Sequence, residues 1–395
     1  MKIPFLSKLR HGKLVAVFDI GSGSVGGAIV ELRGEKPVLI HSSLRSLIPH
    51  EERSNEQLAA AISQRTKEVA KKLLEIHTKS KATGKINESL VVMHVPWIRS
   101  LTHTLEAALK KESEIVEDMI VQLSRKVQKS DPRKTIEDPF EKSIIRVELN
   151  GYPTSSPVGK KAKHISIVVL ETEMLGNMKK KITDSLGGFF PGVQPTFRSS
   201  TLIDSALMRR RSPQTAHFTI VDVTSEATSL TVVLDGVVVD QKNIPIGYRS
   251  VVRAVSKEKN SLEDDVQSRI RMLTKDACST DDCRLLQDSL DAAGAQFIEN
   301  FGNAFAEIGK IKRLPNTLMV RCHPDLAGWF TQFFARLDFA QFTETTEPFS
   351  VGEISSGATA EYIVFAPGNH PDAGIATSSA FLYTGVGDIV GKLET

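Results

Sequence analysis

Two carboxylates head the residues whose type and place could support chemistry. Asp19 stands in Phe18-Asp19-Ile20-Gly21-Ser22-Gly23-Ser24-Val25, and Asp222 in Val221-Asp222-Val223-Thr224-Ser225-Glu226-Ala227-Thr228. Each closes an apolar run and precedes a turn of small polar residues. Gly21 and Gly23 let the first turn take positive φ or be approached closely by another group. The second turn has no glycine, but Thr224, Ser225 and Thr228 offer hydroxyl donors, and Glu226 adds a negative charge. Cys278 and Cys283 are spaced to pair or to hold a metal, yet no second ligand pair accompanies them. The basic clusters Arg209-Arg210-Arg211 and Lys160-Lys161-Lys163 read as solvated ends of elements.

Composition narrows the field. Fifty basic residues against 47 acidic ones leave a net charge of +3 over 395 residues, which is no nucleic-acid footprint. Three cysteines suit a reducing cytosol. No apolar run reaches the roughly 18 residues of a membrane span, and no secretory signal is visible. The length suits two or more domains with substantial cores.

The elements that must position the carboxylates follow from periodicity. Residues 14–20 read as a buried strand, 24–32 as its hairpin partner and about 36–41 as a third strand. Ser54 to His77 reads as a helix, with Ser54 and Gln57 as a capping box and Leu58, Ile62, Val69, Leu73 and Ile76 on one face. A strand at 91–95 ends at Pro96. Residues 100–172 differ in character: a charged helix over about 112–128, a polar stretch from Lys129 to Lys142, strands at 144–149 and 164–171, and a Pro-rich turn between them. Thr172 is placed to cap a helix with the face Leu175, Met178, Ile182 and Leu186. The pattern then recurs: strand 218–223, turn, strand 229–234, the hairpin dipeptide Asp235-Gly236, and strand 237–239. Two strand-Asp-turn-strand units about 200 residues apart imply two domains of related design. Residues 261–313 read as helical throughout, with Leu286, Leu290, Ala293, Phe297, Phe301, Phe305 and Ile308 as a core face. A strand at 317–322, a helix from about Asp325 to Leu337 and a final helix over Gly374–Tyr383 complete the chain.

This order of parts, with Asp19-x-Gly21-Ser22-x-Ser24 between two N-terminal strands, resembles the actin-like ATPase superfamily. The inserted block, with Ser156-Pro157-Val158-Gly159-Lys160-Lys161-Ala162 before a strand, resembles the FtsA branch of bacterial cell division; PilM of type IV pilus assembly is a close cousin. The resemblance implies a bilobal α/β fold. Residues 1–99 and 173–215 would form the first actin-like domain, interrupted by a small α+β subdomain at 100–172. Residues 216–247 and 316–370 would form the second, with a helical subdomain at 248–315, and 371–395 would return to the first. It implies ATP and Mg²⁺ in a cleft between the domains, with Asp19 ordering the metal's water shell and Asp222 opposite, near metal and attacking water. Gly21, Ser22, Gly23, Ser24, Thr224, Ser225 and Thr228 would line the phosphates, whose anionic oxygens suit backbone N–H nests.

Two departures bear on that implication. The second phosphate turn carries Thr224 where the superfamily has glycine. Strand 317–320 runs into Arg321-Cys322-His323-Pro324, with no glycine pair for adenosine. The resemblance therefore implies a cytoplasmic scaffold with weak or absent hydrolysis. It would link a tubulin-like division ring or other division proteins to the inner face of the cell membrane, with self-polymerisation open. The alternatives are a PilM-like adaptor for the tail of a pilus inner-membrane protein and a nucleotide-free pseudo-ATPase. A sugar kinase is disfavoured by the insertion and by the glycine-free second turn. Residues 1–13, with Lys2, Lys8, Arg10 and Lys13 around Ile3, Phe5, Leu6 and Leu9, are the expected membrane contact. FtsA proteins typically place that contact in a C-terminal amphipathic helix, and Gly391–Thr395 does not read as one.

Overall fold

The computed structural model describes residues 12–49, 51, 53–79, 84–126, 136, 138–211, 217–275, 280–310 and 313–384. Residues 1–11 of the expected membrane contact, most of the 129–142 stretch, Cys278 and the last residues lie outside these.

Strands β1 (Lys13–Ile20), β2 (Ser24–Arg33) and β3 (Lys36–Leu47) form an antiparallel meander. Helix α1 (Asn55–Lys79) follows. Its capping box forms as expected, with Gln57 Oε1 accepting from the Ser54 N–H at 2.8 Å and Ser54 Oγ accepting from the Gln57 N–H at 3.3 Å. Strand β4 (Ile86–Met93) then runs parallel to β1 on the side away from β2.

The insertion is a sheet of its own: β5 (Ile98–Glu114), α2 (Glu117–Ser124), β6 (Glu141–Leu149), β7 (Tyr152–Pro153) and β8 (Lys161–Met174), in the order β5-β8-β6-β7. Two expectations fail here. The helix over 112–128 shrinks to α2, because β5 stays paired with β8 as far as Glu114 opposite Lys161. Thr172 caps nothing, because β8 runs on to Met174. Its hydroxyl sits between Ser100 and Glu141, and Asn177 precedes helix α3 (Met178–Gly187).

Strand β9 (Pro195–Ser199) pairs in parallel with β4 and leads straight into α4 (Ser200–Arg211). The pattern then repeats. Strands β10 (Phe218–Val223), β11 (Thr228–Leu234) and β12 (Val237–Ile244) form a second meander. Its Asp235-Gly236 turn has both residues at positive φ, 50° and 73°, as a type I′ turn requires. Helices α5 (Tyr248–Lys259), α6 (Glu263–Leu273) and α7 (Thr280–Gly309) follow, the last two within the 261–313 stretch expected to be helical. Strand β13 (Thr317–Arg321), helix α8 (Pro324–Ala335), strand β14 (Ser350–Glu353), strand β15 (Ile363–Phe365) and helix α9 (Ala373–Thr384) complete the fold.

The two large sheets share one plan. The order β3-β2-β1-β4-β9 in the first matches β12-β11-β10-β13-β14 in the second, with β15 added beside β3. Strand β1 alternates by face: Leu14, Ala16, Phe18 and Ile20 pack toward α1 and α3, while Val15 and Val17 face the other way. That second face belongs to a core shared with Phe218 and Ile220 of β10, and α4 and α9 fill the space between the sheets. The far side of the second sheet packs on the helical unit, where Phe297, Phe301 and Phe305 are fully buried.

Candidate functional site

Because β1 and β10 hold the same place in their sheets, Asp19 and Asp222 emerge at equivalent strand ends, and both are buried. Between them lies His94, the first residue after β4. Its Nε2 is 2.9 Å from Asp19 Oδ2 and its Nδ1 is 2.7 Å from Asp222 Oδ2. The His94 N–H, donated to the Ile20 carbonyl at 3.0 Å, continues the β1–β4 ladder and fixes the ring beside Asp19.

Two arginines complete the cluster. Arg45 of β3 donates Nη2 to Asp19 Oδ1 at 2.8 Å, Nη1 to Ser24 Oγ at 2.9 Å, and Nε and Nη2 to Asp372. Arg321, at the end of β13, pairs with Asp204 of α4, donates to Thr377 of α9 and lies 3.8 Å from Asp19. Burial alone would raise the Asp19 carboxyl, but His94, Arg45 and Arg321 hold it far below the usual carboxylate range. Burial would likewise lower His94, yet Asp222 and Asp19 push it up to about 10. Burial pushes Asp204 up to about 6 against the pull of Arg321. Four carboxylates thus face three cations in one buried cluster.

The two turns touch. Ser22 Oγ is 2.9 Å from Thr224 Oγ1 and accepts the Glu226 N–H at 2.9 Å. A Cβ on Gly23 would lie 2.6 Å from Ser225 Cβ and 2.8 Å from the Tyr248 hydroxyl. A Cβ on Gly374, at the start of α9, would lie 2.4 Å from Asp19 Oδ1. Thr228 is not part of this contact; buried in β11, its hydroxyl donates to the Ile246 carbonyl at 2.8 Å. The cavity left between Asp19, Asp222, Ser22, Thr224, Tyr248 and His323 measures about 90 Å³.

No family model matches the sequence, and no curated protein matches it. Among solved structures, the PilM–PilN type IV pilus biogenesis complex superposes with a TM-score of 0.57, at 13% identity, over 95% of this chain and 99% of the matched one. The chain has the bilobal actin-like ATPase fold. The ethanolamine utilization protein EutJ from Carboxydothermus hydrogenoformans is a more distant neighbour, with a TM-score of 0.45 at 9% identity over 97% of this chain and 93% of that one.

Within this actin-like frame the residues present do not fit a metal-bound nucleotide. Mg²⁺ demands a near-ideal octahedral shell and keeps several waters, but each strand-end carboxylate already holds the His94 ring. Ligand pockets run to about 300–1,000 Å³, well above the 90 Å³ here. The Ser22 and Thr224 hydroxyls, expected to serve phosphate, bond each other, and Gly23 is packed against Ser225. Past β13, His323 caps α8 and Pro324 opens it, so no glycine backbone is bared for a base.

Asp19, Asp222, Gly21, Ser22, Gly23, Ser24, Thr224 and Ser225 are thus brought together, and Thr228 is not. Sequence reasoning missed His94, Arg45, Asp204 and Asp372. For His94 a signal existed: it follows a buried strand directly, and functional groups gather at the carboxyl ends of parallel strands.

Proposed function

We propose that this protein is an actin-fold adaptor that acts by binding other proteins and does not turn over nucleotide. The observation that carries this reading is the His94 ring seated between Asp19 and Asp222, where the superfamily resemblance would put metal and water. A protein held shut by its own side chains offers its outer surfaces and its inserted sheet for assembly. Phosphate release from ATP with Mg²⁺ is the test. Release at the buffer-blank rate is expected, and turnover that Asp19→Asn abolishes would overturn the reading.

Two finer readings concern the partner. Likeness to PilM along the whole chain supports a pilus adaptor that binds the cytoplasmic tail of an inner-membrane protein. The Ser156–Ala162 feature, running from the β7–β8 connection into the start of β8, supports a division scaffold for a tubulin-like protein. Pull-down with a synthetic membrane-protein tail against a tubulin-like division protein separates them, since each reading expects capture of one only. Contact of residues 1–13 with anionic lipid is proposed alongside. Liposome flotation of the full chain against one starting at Lys13 tests it, and equal flotation would reject it.

A further inference from the structure

We propose that His94 is a built-in substitute for a divalent cation, joining the strand-end carboxylates of the two lobes, and that its removal uncovers a latent metal site. The inference deepens the adaptor reading by naming what holds the cleft without a ligand. It does not depend on which partner the adaptor takes.

The geometry carries it. Asp19 belongs to the first sheet and Asp222 to the second, so a group bonded to both ties lobe to lobe. Both ring nitrogens of His94 face carboxylate oxygens, at 2.9 and 2.7 Å. An ionised carboxylate only accepts. A neutral imidazole has one N–H and one lone pair, and would turn that lone pair on one of the two anions. Only the imidazolium, with two N–H groups, satisfies both partners, so the ring is a cation held between two buried anions. That is the electrostatic office of a hard metal ion, performed without its hydration shell.

The surroundings agree. Arg45 occupies the second oxygen of Asp19, and Arg321 approaches from the far strand end. With His94 charged, the four acids and three cations leave one net negative charge. An added divalent ion would meet a cluster already close to neutral. Taking out the imidazole alone leaves two buried carboxylates across a ring-sized gap. Oxygen donors with room for water are what Mn²⁺ and Mg²⁺ bind.

The test is Mn²⁺ titration of the full-length chain by calorimetry, with electron paramagnetic resonance reporting bound ion. Wild type is expected to take no ion at this site. His94→Ala is expected to bind one Mn²⁺ at least tenfold more tightly than wild type, and His94→Ala/Asp222→Asn is expected to lose it. A folded His94→Ala variant, verified by circular dichroism, that binds no better than wild type overturns the proposal. Should His94→Ala not fold, wild type alone decides. One Mn²⁺ bound by wild type and lost in Asp222→Asn overturns the proposal, and none bound upholds it. Neither readout involves phosphate release or a partner, so failure of the adaptor reading would be recognised separately.

Discussion

At the scale of the residue, the centre of this protein is an ion cluster in which no member is expendable. Arg45 is its clearest case, because one guanidinium serves Asp19, Ser24 and both oxygens of Asp372. Removing one partner of a buried pair leaves an uncompensated charge and costs about 3–5 kcal/mol. Arg45→Met is therefore expected to lower unfolding free energy by that amount in urea titrations. Arg45→Lys should recover only part of it, since an ammonium cannot reproduce the planar fork. The protonation of His94 adds a pH signature. Its folded pKa of about 10 lies above the ordinary imidazole value of 6.5, so the folded state holds the proton more tightly than the unfolded chain. The resulting stability is complete below about pH 6.5 and drains away as pH rises toward 10. The urea midpoint of wild type should fall along that limb, and the fall should be smaller in a folded His94→Gln variant. Limbs of equal steepness would show that the ring carries no such proton.

At the scale of the element, what the sequence revealed depended on whether an element has a wet side. Helix α1 does, and its capping box and apolar face were both legible. The Phe297, Phe301 and Phe305 stripe of α7 was legible for the same reason, and all three rings are buried against Phe330, Phe334 or Phe339. Phe301→Ala is expected to cost about 3–5 kcal/mol through lost burial and an unfilled cavity, read as a lowered urea midpoint. Helix α4 was not legible: Ser200 to Met208 are all buried between the two sheets, so no polar face marks its period. Strand β5 misled in the opposite way. Its Lys110-Lys111-Glu112-Ser113-Glu114 end is charged like a surface helix, but its ladder to β8, Ser113 opposite Ala162 and Glu114 opposite Lys161, is a contact distant in sequence that local pattern does not contain. The site divides similarly. Asp19 and Asp222 announce themselves by repeating one local pattern, whereas Arg45, Asp204 and Asp372 acquire meaning only once β3, α4 and the approach to α9 are set around β1.

At the scale of the whole molecule, two kinds of force fasten the lobes, and β12 and Arg249 add bonds of their own to the Ile98 and Glu51 carbonyls. Between the sheets, α4 and α9 lie in an apolar core that takes Val15 and Val17 from one lobe and Phe218 and Ile220 from the other. At the mouth, polar contacts do the joining: His94 with Asp222, and Ser22 with Thr224 and the Glu226 N–H. Burial of apolar area is non-directional and tolerates small rotations, whereas hydrogen bonds weaken steeply with misalignment. Cutting the mouth should therefore let the lobes part about the shared core without unfolding either. Amide hydrogen exchange can see this, because local opening is reported segment by segment. In a folded His94→Ala variant without added metal, amides of Gly21–Ser24 and Thr224–Ala227 are expected to exchange at least tenfold faster, while those of α4 and α9 keep wild-type rates. Added Mn²⁺ should restore slow exchange at both turns, since an ion between the freed carboxylates would remake the same join. Faster exchange spread evenly through both sheets would mean instead that the ring supports the fold at large, and that closure of the cleft is not its particular task.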